Sequence, residues 1–388
     1  MEKRANDWSI LGFGCMRFPR KAGRIDEEET QKLIRYSIRH GVNYFDTAYI
    51  YPGSEQVLGR ILAKDGLRDK VCITTKLPHY LIRSVEDAED KFRKQLDRLQ
   101  TDHVDNYLMH MLPDVEIWDK LVRMGIGQWL QEKKQQGQIR RVGFSYHGNT
   151  DNFIRLLDAW DWDLCQVQYN YMDENSQAGR RGVEYAARKG IPVIIMEPLR
   201  GGRLADGLPR QAGQIFAQAD SGSTPAQWGL RWLWDQKAVS VVLSGMGSRQ
   251  MVRENIQTAE SARTGMIREE QREVYDRVRE AVNGEVKIPC TGCGYCQPCP
   301  AGVDIPGVFR CYNISYSDGL IRGMKEYLMT TTFRAKPANA SLCVKCGRCE
   351  QHCPQQIQVR QQLDQCGRRL ENPAYRAIAH FSPRFFRK

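Results

Sequence analysis

Four residues carry the chemistry that the sequence can do: Asp46, Tyr51, Lys76 and His110. Asp46 and Tyr51 fall in Gly41-Val-Asn-Tyr-Phe-Asp-Thr-Ala-Tyr-Ile-Tyr51, a β-prone run followed by the turn Pro52-Gly53. Lys76 stands near the end of the run V-C-I-T-T-K-L, and His110 near the end of V-D-N-Y-L-M-H-M. A phenol of pKa about 10 is a poor acid near neutrality. A neighbouring ammonium stabilises the phenolate and is expected to lower that value, while a carboxylate holds the ammonium charged. A histidine beside them could polarise or orient a carbonyl oxygen. Such a group would make Tyr51 a general acid for carbonyl reduction, or a base for alcohol oxidation. Singly, each residue has a plainer reading: a solvated Asp at a strand tip, a snorkelling Lys, a satisfied core His. Their common position at strand ends favours the chemical one.

Those strand ends belong to a repeating pattern. Apolar runs at 10–18, 41–46, 71–77, 104–111, 139–145, 164–170, 192–199 and 239–246 read as strands. Amphipathic segments at 26–40, 54–63, 84–99, 116–136, 149–160, 176–189, 224–236 and 248–258 read as helices, with a further helix at 268–282. Asp26, Ser54 and Ser84 are expected N-caps. Alternating strands and helices predict a parallel sheet covered on its outer face. Eight such units over about 250 residues favour an α/β fold closed into a (β/α)8 TIM barrel, with a doubly wound open sheet as the alternative. A barrel carries its site at the C-terminal strand ends, so the four residues, from three consecutive strands, converge on one quadrant of the rim.

The segments G-V-N-Y-F-D-T-A-Y-I-Y, I-T-T-K, D-N-Y-L-M-H and R-V-G-F-S resemble the aldo-keto reductase family, over about residues 9–258. The resemblance implies that Asp46, Tyr51, Lys76 and His110 are the catalytic tetrad, with Tyr51 rather than Tyr49 as the acid. It implies hydride transfer between NADP(H) or NAD(H) and a carbonyl carbon, without a metal at that centre. Ser145 and Gln166 would hold the nicotinamide carboxamide. Pro198, Leu199, Gly201 and Gly202 would form the phosphate-side loop. Ser244, Gly245, Met246 and Ser248 would line the cofactor after the eighth strand, and Glu254 and Asn255 would contact the adenine. The chain departs from the family pattern at Tyr146, where Asn is common, and at Met196, in the place of the aromatic that stacks on nicotinamide. Gly245 and Met251 stand where basic residues grip a 2′-phosphate, with Arg249 nearby.

A second chemistry lies in the cysteines. Of thirteen, three (Cys15, Cys72, Cys165) precede residue 290, and eight of the rest form two runs. Cys343-x2-Cys346-x2-Cys349-x3-Cys353-Pro354 has the bacterial ferredoxin spacing, and Cys290-x2-Cys293-x2-Cys296-x2-Cys299-Pro300 is one residue shorter. Eight thiolates suffice for two [4Fe-4S] clusters. With the ferredoxin exchange of fourth ligands, Cys353 would join Cys290, Cys293 and Cys296, and Cys299 would join Cys343, Cys346 and Cys349. Structural zinc is the competing reading. Residues 304–334 look helical, giving a small α-helical ferredoxin-like domain. Cys15, Cys72, Cys165, Cys311 and Cys366 have no motif and are expected as buried hydrophobes. The tail from Phe381 is basic and aromatic, suited to docking or to disorder.

At 388 residues the chain exceeds a single core, and the motifs divide it at 1–284 and 285–388. Net charge is +11. Residues 285–388 hold 15 Lys and Arg against 7 Asp and Glu, hence +8. The basic residues are scattered without a nucleic-acid signature, so an acidic electron carrier is the better partner. The polar start and the lack of a long apolar run argue against a signal peptide or a membrane span, so a cytoplasmic location is expected.

The leading expectation is therefore an oxidoreductase acting on a small carbonyl or alcohol substrate and exchanging electrons with a ferredoxin, flavodoxin or flavoprotein. A hydride carries two electrons and a cluster one, so either the clusters are structural, or a partner or a flavin bridges the steps, or the barrel reaction differs from that of its relatives. The alternative is an electron-transfer or redox-sensing protein whose barrel no longer turns over. A metal-dependent hydrolase is disfavoured, because the strand ends lack a His/Asp cluster.

Overall fold

Each short apolar run of the first 250 residues is a strand buried on both faces, the pattern of a parallel sheet wrapped by helices. The strands are β1 (Leu11–Gly14), β2 (Tyr44–Asp46), β3 (Cys72–Leu77), β4 (Val104–Met109), β5 (Ile139–Tyr146), β6 (Leu164–Gln168), β7 (Val193–Met196) and β8 (Val239–Ser244). All neighbours pair in parallel, and β1 pairs with both β2 and β8, closing an eight-stranded barrel. The computed structural model describes residues 1–147, 150–174, 177–290, 292, 294–317, 319–332 and 337–381. By contact the chain forms two units, Met1–Gly207 with Asp220–Arg272, and Leu208–Ala219 with Glu273–Lys388. Segment 273–284, expected at the end of the barrel, thus groups with the cysteine-rich unit.

The helices follow from the polar–apolar spacing. They are α1 (Glu27–Arg39), α2 (Ser54–Lys64), α3 (Val85–Leu99), α4 (Val115–Arg123), α5 (Ile126–Gln135), α6 (Thr150–Asp158), α7 (Gly179–Arg188), α8 (Arg210–Ala219), α9 (Pro225–Trp234), α10 (Arg249–Ser261) and α11 (Glu269–Glu285). Asp26 caps α1, accepting the Glu29 N–H at 3.1 Å, and three acids occupy the first turn, where the helix dipole favours them. Ser84 caps α3 in the same way.

Several local expectations change. Ser54 does not cap α2; Gly53, with φ 76°, is the N-cap, and the Ser54 hydroxyl turns inward to Thr47 Oγ1 and the Cys15 carbonyl. The expected helix 116–136 breaks at Gly125, whose φ of 97° starts α5 afresh. β1 stops at Gly14, before a 3-10 turn over Cys15–Arg17 and a short hairpin pairing Arg20–Lys21 with Arg24–Ile25. The Gly-rich connection after β7 contains α8.

The N-terminal segment closes one end of the barrel. Trp8 is buried and meets Tyr44 edge-on at 5.2 Å, in a cluster with Cys72, Leu108, Leu164, Ile194 and Val241. That seals the end away from the strand C-termini, leaving those termini for chemistry.

The second unit contains α12 (Ile305–Ser317), α13 (Leu320–Tyr327), α14 (Arg348–Gln351), α15 (Val359–Leu370) and α16 (Pro373–Phe381), of which α14 lies within the second cysteine run. Val308, Phe309, Tyr327, Leu363 and Leu370 form its core, joined by Cys311 and Cys366, both fully buried. Cys15, Cys72 and Cys165 are buried too. The tail beyond Phe381 lies outside the described residues. No helix among the described residues is long and apolar enough to cross a membrane.

Candidate functional site

Parallel register sets the heights of the four tetrad residues. Asp46, the last residue of β2, lies beside Thr74 of β3; Lys76 follows two residues later and lies beside Leu108 of β4, two residues before His110. Side chains two apart on one strand share a face, so these positions stack toward the same rim. Lys76 Nζ lies 2.7 Å from both Asp46 carboxylate oxygens and 2.7 Å from the Thr47 carbonyl. The ammonium stands 5.3 Å from the centre of the Tyr51 ring, and that ring meets His110 edge-on at 6.1 Å. The structure thus brings all four residues together.

Burial decides their charge states. It works against the Lys76 ammonium, but the Asp46 carboxylate opposite it prevails and holds the lysine above its usual value. Burial likewise raises the Asp46 carboxyl, opposed by Lys76 and by Gln166. For Tyr51 burial dominates: it raises the phenol, Lys76 pulls it back, and Asp46, Cys15 and Glu197 push it up again. This corrects the expected lowering, because a phenolate here gives up more hydration than one ammonium returns. Burial, then Lys76, His147 and His79, push His110 down to about 3, so its ring is neutral at pH 7.

The expected carboxamide residues adjoin this centre. Ser145 and Gln166 are register partners on β5 and β6, both buried. Ser145 Oγ accepts the Met111 N–H at 2.8 Å. Gln166 Nε2 donates to Asp46 at 3.1 Å, which makes it a fifth member of the polar cluster. Gln166 Oε1 and His110 Nδ1 are buried without hydrogen-bond partners. An amide ligand and a carbonyl substrate would satisfy such atoms, so these residues fit a nicotinamide and its partner substrate.

The remaining expected contacts are uneven. Pro198 is buried, and Leu199 precedes a 3-10 turn in which Gly201 and Gly202 take φ of 71° and 98°, values that favour glycine. The Met246 side chain is buried. Ser244 is tied to Asn255, whose amide donates to its hydroxyl at 3.0 Å. Ser248 caps α10, and Glu254 accepts from Gln250. Arg249 lies over the Tyr36 ring at 5.8 Å, at the start of the same helix.

Two neighbours escaped sequence reasoning. Arg17, after β1, donates to the Gly201 carbonyl at 2.8 Å and lies against Gly245, where a side chain would meet it at 3.1 Å. It bridges the two glycine positions expected at the phosphates. The signal was a single Arg in G-F-G-C-M-R-F, which carries no motif alone. His147 follows Tyr146 at the end of β5; burial lowers its pKa, opposed by Glu197 and Gln177.

In the second unit, a cavity of about 500 Å³ is lined by Cys296, Cys299, Cys343, Cys346 and Cys349, with Arg348 and His352. A smaller one is lined by Cys290, Cys296 and Cys353 with Ile305, Phe309 and Val359. Cys293 lies outside the described residues. Cys299 therefore sits with the second run and Cys353 with the first. Thiols spread around a cavity suit ligands that bind separate irons of a cluster. Among the described residues, no three His, Cys, Asp or Glu side chains converge tightly enough to share one ion.

Comparison with known proteins places the two parts of the chain in known families. The aldo/keto reductase family matches residues 10–264, and the 4Fe-4S dicluster domain matches residues 289–358. The chain is 29% identical over 270 residues to L-galactose dehydrogenase of Arabidopsis thaliana, covering 64% of this chain and 83% of that one. It is 27% identical over 248 residues to an aldo-keto reductase of Mycobacterium avium, covering 64% and 79%. Among solved structures it resembles an aldo-keto reductase from Klebsiella pneumoniae in complex with NADPH, with a TM-score of 0.58, 25% identity, and 72% and 96% of the two chains covered. The chain belongs to the aldo/keto reductase family, oxidoreductases of carbonyl and alcohol groups, and carries a 4Fe-4S dicluster domain later in its sequence.

Proposed function

We propose that the barrel catalyses NAD(P)-linked reduction of an aldehyde or ketone, or oxidation of the alcohol, with Tyr51 as general acid or base. The observation that carries this is the Lys76–Asp46 pair beneath the Tyr51 ring, with a neutral His110 at its edge. A bound nicotinamide dinucleotide supplies the hydride. Tyr51, a phenol protonated at neutral pH and held so more firmly by burial, gives its proton to the carbonyl oxygen. Lys76 then stabilises the phenolate left behind, and Asp46 keeps Lys76 charged and in place. His110, having no charge of its own, orients the carbonyl by hydrogen bonding. Gln166 Oε1 and Ser145 would face the carboxamide, and Gly201, Gly202, Gly245 and Arg17 the phosphates. Arg249, at the start of α10, is placed to favour a 2′-phosphate.

Most of the large apolar side chains exposed on the barrel unit support the substrate side. Met16, Ile50, Tyr80, Leu81 and Met111 follow β1, β2, β3 and β4, so they ring the tetrad quadrant. This collar fits a carbonyl compound carrying an apolar group.

We further propose that the cysteine unit holds two [4Fe-4S] clusters. Cys290, Cys293, Cys296 and Cys353 would ligate one, and Cys299, Cys343, Cys346 and Cys349 the other; the cavity linings support the exchanged fourth ligands. The clusters supply one-electron transfer, so a ferredoxin, flavodoxin or flavoprotein would join them to the two-electron chemistry of the barrel. The complete tetrad argues against a barrel without turnover.

The deciding experiment is anaerobic titration of the reconstituted protein with NADPH and NADH while the cluster absorbance is followed. Bleaching that requires an added flavoprotein supports the coupled reading. Carbonyl reduction with clusters that never change redox state would remove the coupling and leave the barrel reaction. No carbonyl reduction by protein with full clusters would sink the catalytic assignment.

A further inference from the structure

Behind the tetrad lies a second buried carboxylate that the reaction does not use. Glu55, in the first turn of α2, is 1% exposed. It accepts the Thr75 hydroxyl at 2.6 Å, the Gln95 amide at 2.8 Å and the Arg98 guanidinium at 3.0 Å. Thr75 precedes Lys76 on β3, and Gln95 and Arg98 lie on α3. Gln95 Nε2 also reaches Thr75 Oγ1 at 2.8 Å and the Lys76 carbonyl at 3.2 Å, while its Oε1 accepts the Tyr107 hydroxyl at 2.7 Å. Arg98 Nη1 donates to the Tyr49 carbonyl at 3.3 Å, and its guanidinium covers the Tyr49 ring at 4.5 Å. The Tyr49 N–H in turn lies 3.5 Å from the Lys76 carbonyl. Gly59, one turn further along α2, permits this approach, because a methyl there would collide with the Arg98 carbonyl.

One carboxylate therefore touches the strand that carries Lys76 and, through Arg98, the loop that carries Tyr51. The other side of that loop is held by Ser54, whose N–H donates to the Tyr51 carbonyl at 3.1 Å and whose hydroxyl bonds Thr47. Buried polar groups left unpaired are costly, so the network has one low-energy arrangement.

We infer that the Glu55–Arg98 pair is a positioning device for the general acid, fixing the loop of Tyr51 against the strand of Lys76 and so setting the distance from phenol to ammonium. Neither residue touches the reacting atoms. The inference deepens the proposed reaction and rests on that reading for its meaning in turnover. Its physical content, the Tyr51–Lys76 distance, can be read without turnover.

The test uses full-length reconstituted protein with the variants Glu55→Gln, Arg98→Met and Arg98→Lys. Arg93→Ala, on the exposed face of α3, is the control. Meta-fluorotyrosine at position 51 reports the phenol titration by fluorine NMR. The charged and titratable groups acting on that phenol are Lys76 from β3, Asp46 from β2, Cys15 after β1 and Glu197 after β7, with His110 at its edge. Only the Lys76 ammonium lowers it. Loosening the loop changes both the Lys76 distance and the burial of the phenol, so Glu55→Gln and Arg98→Met should move the titration away from its wild-type pH and lower kcat by about 10- to 100-fold, the cost of roughly 1 Å of misplacement, with NADPH affinity unchanged. Arg98→Lys should recover part of both, and Arg93→Ala should match wild type. A phenol titration that stays at the wild-type pH in both disrupting variants overturns the inference, whatever happens to stability. So does an equal shift in the control. If Glu55→Gln does not fold, Arg98→Met, at a partly exposed position, carries the test. If wild-type protein reduces no carbonyl, the proposed reaction fails while the titration still judges the positioning.

Discussion

Lys76 and Asp46 form a closed pair: the ammonium meets both carboxylate oxygens at 2.7 Å, and both side chains are almost fully buried. A buried ion pair returns little net stability, but breaking it strands a charge. Lys76→Met should therefore cost about 3–5 kcal/mol of stability, and the double variant with Asp46→Asn should regain much of that loss. Urea denaturation of the isolated variants measures both. A Lys76→Met variant as stable as wild type would contradict the pairing.

Removing the phenol is a different perturbation. Tyr51 is half-buried where Asp46, Lys76 and His110 are buried, and in the proposed reaction its hydroxyl is the proton donor, so Tyr51→Phe should leave the fold and the cluster absorbance intact. The rate of carbonyl reduction should fall by about 10²–10⁴-fold, the usual share of general acid catalysis. Single-turnover assays with NADPH separate this from cofactor binding. Wild-type turnover in this variant would end the proposal for the barrel.

The pH dependence follows from His110. Its folded pKa, about 3, lies below its ordinary 6.5. Between those values the unfolded chain binds a proton that the folded protein does not, so stability rises with pH across that window. The contribution is fully present above pH 6.5 and is lost as pH falls toward about 3. His110→Phe should flatten the acid limb of the stability profile, measured by thermal unfolding at several pH values. Turnover by wild type should show no limb from His110 near neutrality, and carbonyl reduction should weaken only on the alkaline side, where Tyr51 loses its proton.

Arg17 joins two glycine positions of the expected phosphate site. A charge-assisted hydrogen bond to a phosphate is worth about 1.5–3 kcal/mol. Arg17→Ala should then weaken NADPH and NADH alike by about tenfold or more, whereas Arg249→Ala should weaken NADPH selectively. Fluorescence titration of the two cofactors distinguishes the roles, and unchanged affinity in Arg17→Ala would leave the arginine a loop tie only.

For the second unit, reconstituted protein should contain about eight iron and about eight acid-labile sulfide per chain. Cys353→Ser should damage the site of the first run and Cys299→Ser that of the second, resolved by electron paramagnetic resonance of the reduced clusters. Half the iron in wild type would mean one cluster, and stoichiometric zinc would remove the assignment.

Much of the site was legible before folding. The spacing of Asp46 and Tyr51, with Lys76 and His110 at the ends of the next two strands, needed only the strand order, because parallel register turns order into adjacency. Other features were not legible. Ser54 reads as a cap, since Ser before an apolar helix usually is one, yet its hydroxyl turns inward to Thr47 and Cys15. Gln166 reads as a cofactor contact, and only the packing of β6 near β2 across the barrel shows its bond to Asp46. The Glu55 network joins residues twenty to forty-three positions apart, beyond any local pattern.

By itself the sequence determined which groups exist, in what order they arrive at the rim, and how the cysteines are spaced, because periodicity and spacing are properties of the chain. Only the tertiary structure decided their states. The Tyr51 phenol is raised rather than lowered, and His110 is neutral at pH 7. Charge state depends on hydration and on neighbours within a few ångströms, and both are set only when distant segments pack together.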